Sequence, residues 1–563
     1  MFYRSRFRKN TKTMFRSLLS LIVVCALLFF QVGCKRDDFS KLAESEWNPD
    51  FAFPLVNSTL TASDILAEEN SSTLISVGES GIVEVIYSTI NKGKNASEII
   101  NLPLVNVTNN VFASSSNTNA FNANQTNGTT LTDSVSFNIP YSLDAQLGNL
   151  SRIDTAFLKS GLLKLNINCW VPHNSILSIE IPELIINNEV YKEDIPFNYA
   201  LQTPFGIALE RNLQGAYLIP STSSESIQVK YTIRTTRINN QAIPISNQFI
   251  SHIELSGAEF SKLCGNFGNY TAPLPNNDTL FLHLFRNVIN AVDLNFTNPS
   301  ARILVSNSTG VPINYTQTSF NAIRPGSVIP SVDLSSISFP TSITAMGSTS
   351  ALPAQVEYPF TTTNGSNISE VINSFPRYML SRGNFTFDSS MPNTSYFLRD
   401  TSHVETRSEV TLPLNGLTID LQVRDTFEYN FNSISGDIEE IMLRLNIENG
   451  FPTDGKLQVY FCRHIGTGNS IQIIDSLYTQ GTEVVLMPGQ TNVNGIVTIP
   501  SQKITDATIS GTKWQKLSQM NADRILIRAR LSTSELGELA VKILENDKLQ
   551  IRIAARIKAH KTF

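Results

Sequence analysis

Residues able to do chemistry are sparse in this chain. Its six histidines, His173, His252, His283, His403, His464 and His560, are scattered, and none makes an HExxH or other close metal spacing. His283 falls between Phe281 and Phe285 on what reads as one strand face, which suits a packed ring better than a ligand. His464 stands two residues from Cys462, too little on its own for a nucleophile and its base. Gly78-Glu79-Ser80-Gly81 lacks the residue that a GxSxG elbow places between serine and the second glycine. Gly466-Thr467-Gly468 lacks the third glycine and the lysine of a phosphate loop. Glu439 and Glu440 would point to opposite faces of a strand. No Asp-x-Asp calcium spacing occurs. Neither an enzyme, a metal centre nor a cofactor is expected.

Cys34 is the exception. Leu18 to Phe30 is a 13-residue apolar run broken only by Ser20, and Gln31-Val32-Gly33-Cys34 closes it. That length fits a secretory leader and falls short of the roughly 18 apolar residues of a membrane-spanning helix. A small residue before a cysteine after such a run resembles the lipobox of bacterial lipoproteins, with Gln31 in place of the usual leucine, as in the looser lipoboxes of the Bacteroidota. The resemblance implies that Cys34 is lipidated and becomes the mature N-terminus. Lys35, Arg36, Asp37 and Asp38 follow, and they resemble the surface-export signal of the same lipoproteins. The bland alternative is a charged, solvated tether on a protein facing the periplasm. Met14 is the favoured start, giving a leader of ordinary length, while Met1 adds a basic extension. Residues 1–33 are set aside from fold reasoning.

Without that leader and its six Lys/Arg, 37 basic residues face 48 acidic ones. A mildly acidic surface with no Lys/Arg cluster argues against nucleic acid as a partner. Cys169, Cys264 and Cys462 are far apart and odd in number, so no disulfide framework is indicated.

The body reads as all-β: tandem antiparallel β-sandwich domains with a few short connecting helices. Ile227, Val229, Tyr231 and Ile233 alternate with Gln228, Lys230, Thr232 and Arg234, the pattern of a strand with one buried face. Leu549, Ile551 and Ile553 do the same near the end. Helical spacing appears only around Gly257–Leu263, Ile368–Phe375, Trp514–Met520 and Ser534–Leu544. A core of this length must divide. The expected order is a tether at 34–46, an N-terminal β segment at 47–105, an Asn/Ser/Thr-rich loop at 106–131 and a β-sandwich region at 132–330. A Ser/Thr/Pro-rich linker at 331–367 and a C-terminal sandwich at 368–563 complete it.

A repeat runs through the strand-rich segments. Leu163-Lys-Leu-Asn-Ile167, Pro172 and Leu177, Ile179, Ile181 match Leu443-Arg-Leu-Asn-Ile447, Pro452 and Leu457, Val459, Phe461 at a constant offset of 280. A looser third copy is Ile303, Val305 and Asn307-Ser-Thr-Gly-Val-Pro312. Each reads as a strand, a turn and a returning strand. These units resemble the β-sandwich of late-embryogenesis-abundant type 2 proteins. Trp47-Asn-Pro49 with Phe51 to Leu55, Leu445 to Pro452 and the closing Ile525–Ile557 strands resemble uncharacterised Bacteroidota outer-membrane proteins, a likeness that implies no activity. Four Asp-Ser/Thr-aliphatic triplets, beginning at Asp133, Asp154, Asp278 and Asp475, resemble the O-glycosylation motif of exported Bacteroidota proteins.

The expected function is that of a membrane-held structural or protein-interaction module with an envelope protein as partner. A glycan-binding uptake lipoprotein is the alternative and would show exposed rows of Trp or Tyr. A lipid-carrying sandwich would show an open apolar space.

Overall fold

The computed structural model describes residues 46–562 except 48–49, 67–72, 79, 148–150, 200–203, 275–278, 287, 291–292, 336–341, 389–393, 429–436, 466–469, 480 and 535–536. All strand pairing among them is antiparallel, and it forms three sandwiches of one design.

The first sandwich uses a continuous stretch, 105–267. One sheet runs Val105–Val111, Phe249–Phe267, Ser151–Cys169, Phe205–Asn212. The other runs Thr130–Pro140, Ser226–Thr236, Asn174–Ile186, Glu189–Phe197. A short strand, Tyr217–Leu218, pairs with both sheets and joins them along one side. The faces meet through Phe197 against Phe205 and Phe249, at 5.5 and 5.6 Å between ring centres, and through the buried Tyr231 hydroxyl, which donates to Ser251. The alternation at Ile227–Ile233 is borne out: all four apolar members are buried.

The middle sandwich repeats that order with Val83–Lys92, Val404–Pro413, Ser300–Asn307, Ala354–Phe360 in one sheet. Its other sheet holds Thr271–Pro273 with Thr279–Phe281, then Tyr378–Phe387, Ile313–Ile323 and Ser342–Ile343. The third has Asp50–Thr61, Lys548–Thr562, Asp437–Asn449, Ser501–Ser510. Facing it are Leu421–Glu428, Arg524–Thr533, Thr453–His464 and Ile471–Ser476. Strand order along the chain and strand order across the sheets agree in all three.

The sandwiches are nested rather than tandem. The first strand of the third sandwich is followed by the first strand of the middle one, and then by the whole first sandwich. The middle one resumes at 271 and the third at 415. This corrects the expected boundaries. The 47–105 segment is not a unit of its own, because its strands at 50–61 and 83–92 belong to two different sandwiches. The 106–131 stretch is not simply a loop: Asn-rich Val105–Val111 is an edge strand and Ser115–Ala123 a helix capped by Ser114. The 331–367 stretch contains Ala354–Phe360, an edge strand of the middle sandwich. Edge strands bury little, so polar sequences can form them.

The repeat proves to be the crossover between sheets, and the third copy is in register with the other two. Cys169, Asn307 and Asn449 each end a central strand and each lie opposite the first residue of the same neighbour: Phe205, Ala354 and Ser501. Five residues earlier stand Lys164, Arg302 and Arg444, paired with Glu254, Glu409 and Asp506 on adjacent strands.

In two copies the crossover is bracketed by a buried asparagine. Asn307 donates to Val311 O at 2.8 Å and Thr344 O at 3.1 Å, while its Oδ1 accepts from Thr309 N at 3.0 Å. Asn449 donates to Thr453 O at 2.9 Å and Met487 O at 2.8 Å, and accepts from Phe451 N at 2.9 Å. Both bond the carbonyl four residues on and the amide two residues on. Cys169 fills the third, its thiol pushed up to about 12 by burial.

The junctions are backbone-paired. Tyr396–Arg399 of the middle sandwich adds to the edge of Phe249–Phe267, with Lys159 on Asp400 at 2.9 Å. At the other junction Val83 N donates to Ile543 O, Leu414 N to Val83 O and Ile543 N to Leu414 O. Ala62, Val83, Ile447, Phe451 and Leu549 form an apolar cluster there. Thr61, Asn449 and Lys548 mark this end of the third sandwich, so Asp50 and Lys558, at the other end of the same strand pair, lie at its opposite pole, about 35 Å away at 3.3 Å per residue.

Two of the four expected helices form, Ile368–Asn373 and Gly511–Gln519. Gly257–Leu263 is instead part of strand Phe249–Phe267, whose pairing slips at Ser256/Glu259, Glu259/Phe260 and Phe260/Lys262. Bulges insert extra residues and turn period two into a spacing that mimics a helix. Among the described residues of Ser534–Leu544 no α-helix forms, and Val541–Lys542 is a short strand.

Candidate functional site

Cys34, Lys35, Arg36, Asp37 and Asp38 lie outside the described residues. The chain enters at Glu46–Trp47, paired with Lys561 and Thr562, at the pole of the third sandwich away from the other two.

Among the described side chains the histidines are not brought together. His252 Nδ1 meets Thr108 Oγ1 at 3.0 Å, and His403 lies 3.8 Å from Glu405. His283 sits in a 3-10 turn, not on a strand face, with Phe285 buried and Phe281 exposed. No group of three His, Cys, Asp or Glu suited to a metal occurs among the described residues. Asp133 and Asp475 of the triplets have structural partners. Asp133 accepts from Ser114 N and Asn117 at the helix start, and Asp475 accepts from Lys516 at 2.8 Å.

Two places remain. One is the far tip of the first sandwich, where Val111, Cys169, Phe249 and Thr236 end their strands. Arg237, only 1% exposed, holds it together by donating to the carbonyls of Phe121, Asn239 and Gln241, and it stacks over the Phe121 ring at 4.4 Å. Buried Gln248 accepts from Ala113 N and donates to Thr118 and Pro244 O. On this braced base Phe112, Ile238 and Ile245 are exposed.

His173 lies inside the tip, edge-on to Phe121, with Nε2 2.9 Å from Gln241 O. Burial lowers its pKa from the usual 6.5, and the Arg237 charge adds to this against the Gln241 contact. A base with a depressed folded-state pKa contributes stability that is whole above about 6.5 and is lost as pH falls through the folded value. The first sandwich should therefore melt earlier at about pH 5.5 than at pH 7.5, and His173→Phe should remove that difference in a differential scanning measurement.

The second place is an apolar cavity of about 260 Å³ at the junction of the middle and third sandwiches. Leu294 and Phe296 come from Asp293–Phe296, Leu417 and Thr418 from Asn415–Ile419, Leu531 and Thr533 from Arg524–Thr533, and Val541 from the last short strand. Gly416 allows two of these strands to approach, since a Cβ there would stand 2.1 Å from Asn295 O. Two of the wall's hydroxyls are spent on backbone: Thr533 donates to Thr418 O, and Thr418 to Asp293 O. At about 24 cal/mol per Å³, a dry sealed void of this size would cost up to about 6 kcal/mol, less here because it has a mouth. An open polar pocket adjoins it, sharing Leu294 and Asn295 and lined by Asp293, Glu370, Asn373 and Ser374. Single-sequence reasoning had no signal for this cavity, whose walls come from segments 260 residues apart.

No family model and no curated protein matches the chain. Among solved structures it is similar to a "putative secreted protein from Parabacteroides distasonis", at 10% identity over 90% of this chain and 99% of that one, with a TM-score of 0.23. It is also similar to the triple jelly roll of an archaeal virus turret, at 9% identity over 83% and 91% of the two chains, TM-score 0.10. A third is infectious bursal disease virus, Gx strain, at 10% identity over 77% and 73%, TM-score 0.14. These likenesses carry no function to this chain.

Proposed function

We propose that the protein is a lipid-anchored outer-membrane protein, facing the cell surface, that acts as a structural and protein-interaction module. The observation that carries this is Cys34 closing a leader-length apolar run. Two or three acyl chains, at roughly 0.8 kcal/mol per buried methylene, hold a protein to a bilayer almost permanently. The nested order supports the reading. With the tether leaving from the outer pole of the third sandwich, the first sandwich stands farthest from the membrane, and its braced tip offers Phe112, Ile238 and Ile245 to an envelope partner. Among the described residues no Trp or Tyr is exposed, which gives the glycan alternative no platform.

The test is twofold. Cells grown with labelled palmitate should label the wild type and not Cys34→Ala; an unlabelled wild type ends the anchor proposal. In-cell crosslinking should capture a defined envelope protein, and Phe112→Asp with Ile245→Asp should abolish that capture while membrane association is unchanged. Equal capture by the double variant would remove the tip from the proposal.

A further inference from the structure

We infer that the cavity between the middle and third sandwiches is a binding site for a single aliphatic chain bearing an uncharged polar head. The inference is independent of where the protein is anchored.

Its lining is almost wholly apolar where it faces the space, and the Thr418 and Thr533 hydroxyls are already engaged: Thr533 Oγ1 accepts from Thr418 N and donates to Thr418 O, and Thr418 Oγ1 donates to Asp293 O. Water entering would find few partners, and a buried water needs two to four. An apolar void of about 150 Å³ admits benzene; by proportion, 260 Å³ admits a hydrocarbon of on the order of ten carbons.

The adjoining pocket sets the head. It is open, of about 500 Å³, and reaches the cavity at Leu294 and Asn295. Its polar lining consists of two carboxylates, Asp293 and Glu370, with Asn295, Asn373 and Ser374. Among the described residues no Lys or Arg lines it; Arg324 stacks over the Phe375 ring at 5.1 Å but is not part of the wall. Amides and a hydroxyl suit a hydroxyl or amide head, whereas a carboxylate or phosphate would meet like charge at close range. The ordered Asn373 side chain, bonded to both Phe296 N and Asn295 Oδ1, fixes the boundary between the wet and dry parts.

The experiment uses the whole chain without its leader, Cys34→Ser, free of detergent, with 1-decanol and sodium decanoate as probes. Calorimetric titration and melting curves should give one site for decanol, a concentration-dependent rise in melting temperature, and at least tenfold weaker binding of decanoate. Leu417→Trp, which fills the cavity, should lose decanol binding at least tenfold with an unchanged circular dichroism spectrum. Leu531→Phe serves the same purpose if the larger ring prevents folding. No decanol binding by the wild type, or undiminished binding by the filled variants, overturns the site. Decanoate binding as tight as decanol overturns the head assignment.

Discussion

Expressed alone, residues 105–267 should fold cooperatively into an all-β unit, and residues 368–563 should not. The first fragment holds all eight principal strands of its sandwich and loses the edge contact with Tyr396–Arg399, the Lys159–Asp400 pair, the Gln146–Asn101 hydrogen bonds and the apolar packing against the middle sandwich. The second carries Tyr378–Phe387 and Val404–Pro413 without the strands they pair with at 300–323 and 83–92. It also lacks Asp50–Thr61, which covers one edge of Lys548–Thr562. Unpaired edges and half a core favour association over folding. A rearranged chain, residues 415–562 followed by a short linker and residues 46–62, should recover the third sandwich, because Glu46 already lies beside Thr562. Thermal melts followed by circular dichroism decide the matter: a cooperative transition in 368–563, or none in 105–267, would contradict the nested architecture.

The second large effect is expected at the asparagine brackets. Asn449→Asp keeps size and shape but replaces the two donated hydrogens with a carboxylate oxygen facing the carbonyls of Thr453 and Met487. Asn449 is 1% exposed, so the new charge has no water to turn to. Losing two hydrogen bonds and burying an uncompensated charge should cost about 3–5 kcal/mol. Asn307→Asp meets the same geometry at Val311 and Thr344 and should cost a similar amount. At roughly 2–4 °C per kcal/mol for units of this size, each lowers the melting temperature of its own sandwich by about 10 °C. Asn449→Ala should cost less than Asn449→Asp, because it leaves orphaned groups without adding a charge; the reverse order would show that the bracket is not a donor site.

The fold class was legible because burial on one face leaves period-two patterns, as at Ile227–Ile233. The crossover repeat was also legible, since Leu163–Ile181 and Leu443–Phe461 keep one register. The nesting was not. Nothing local marks Phe51 and Phe53 as partners of Ile557 and Ala555, some 500 residues on. Polarity misled at Asn106–Asn110, where an edge strand needs no apolar pattern. Bulges misled at Gly257–Leu263. The tip was within reach, because Arg237 directly follows an alternating strand, but its burial depends on carbonyls from a distant helix, at Phe121, and from the loop at Asn239 and Gln241. The cavity had no sequence signature, since its leucines and valines are indistinguishable from core.

The pairing of Asp50–Thr61 with Lys548–Thr562 also decides how the molecule bears load. Tension drawn through the segment before residue 50 runs along that strand's axis, while its hydrogen bonds lie across the axis. The bonds are then strained together rather than one after another, with the bidentate Arg556–Asp50 pair at the loaded end. If the protein is held through its N-terminal tether, as proposed, it resists being pulled off its support far better than one whose terminal strand could be peeled back bond by bond.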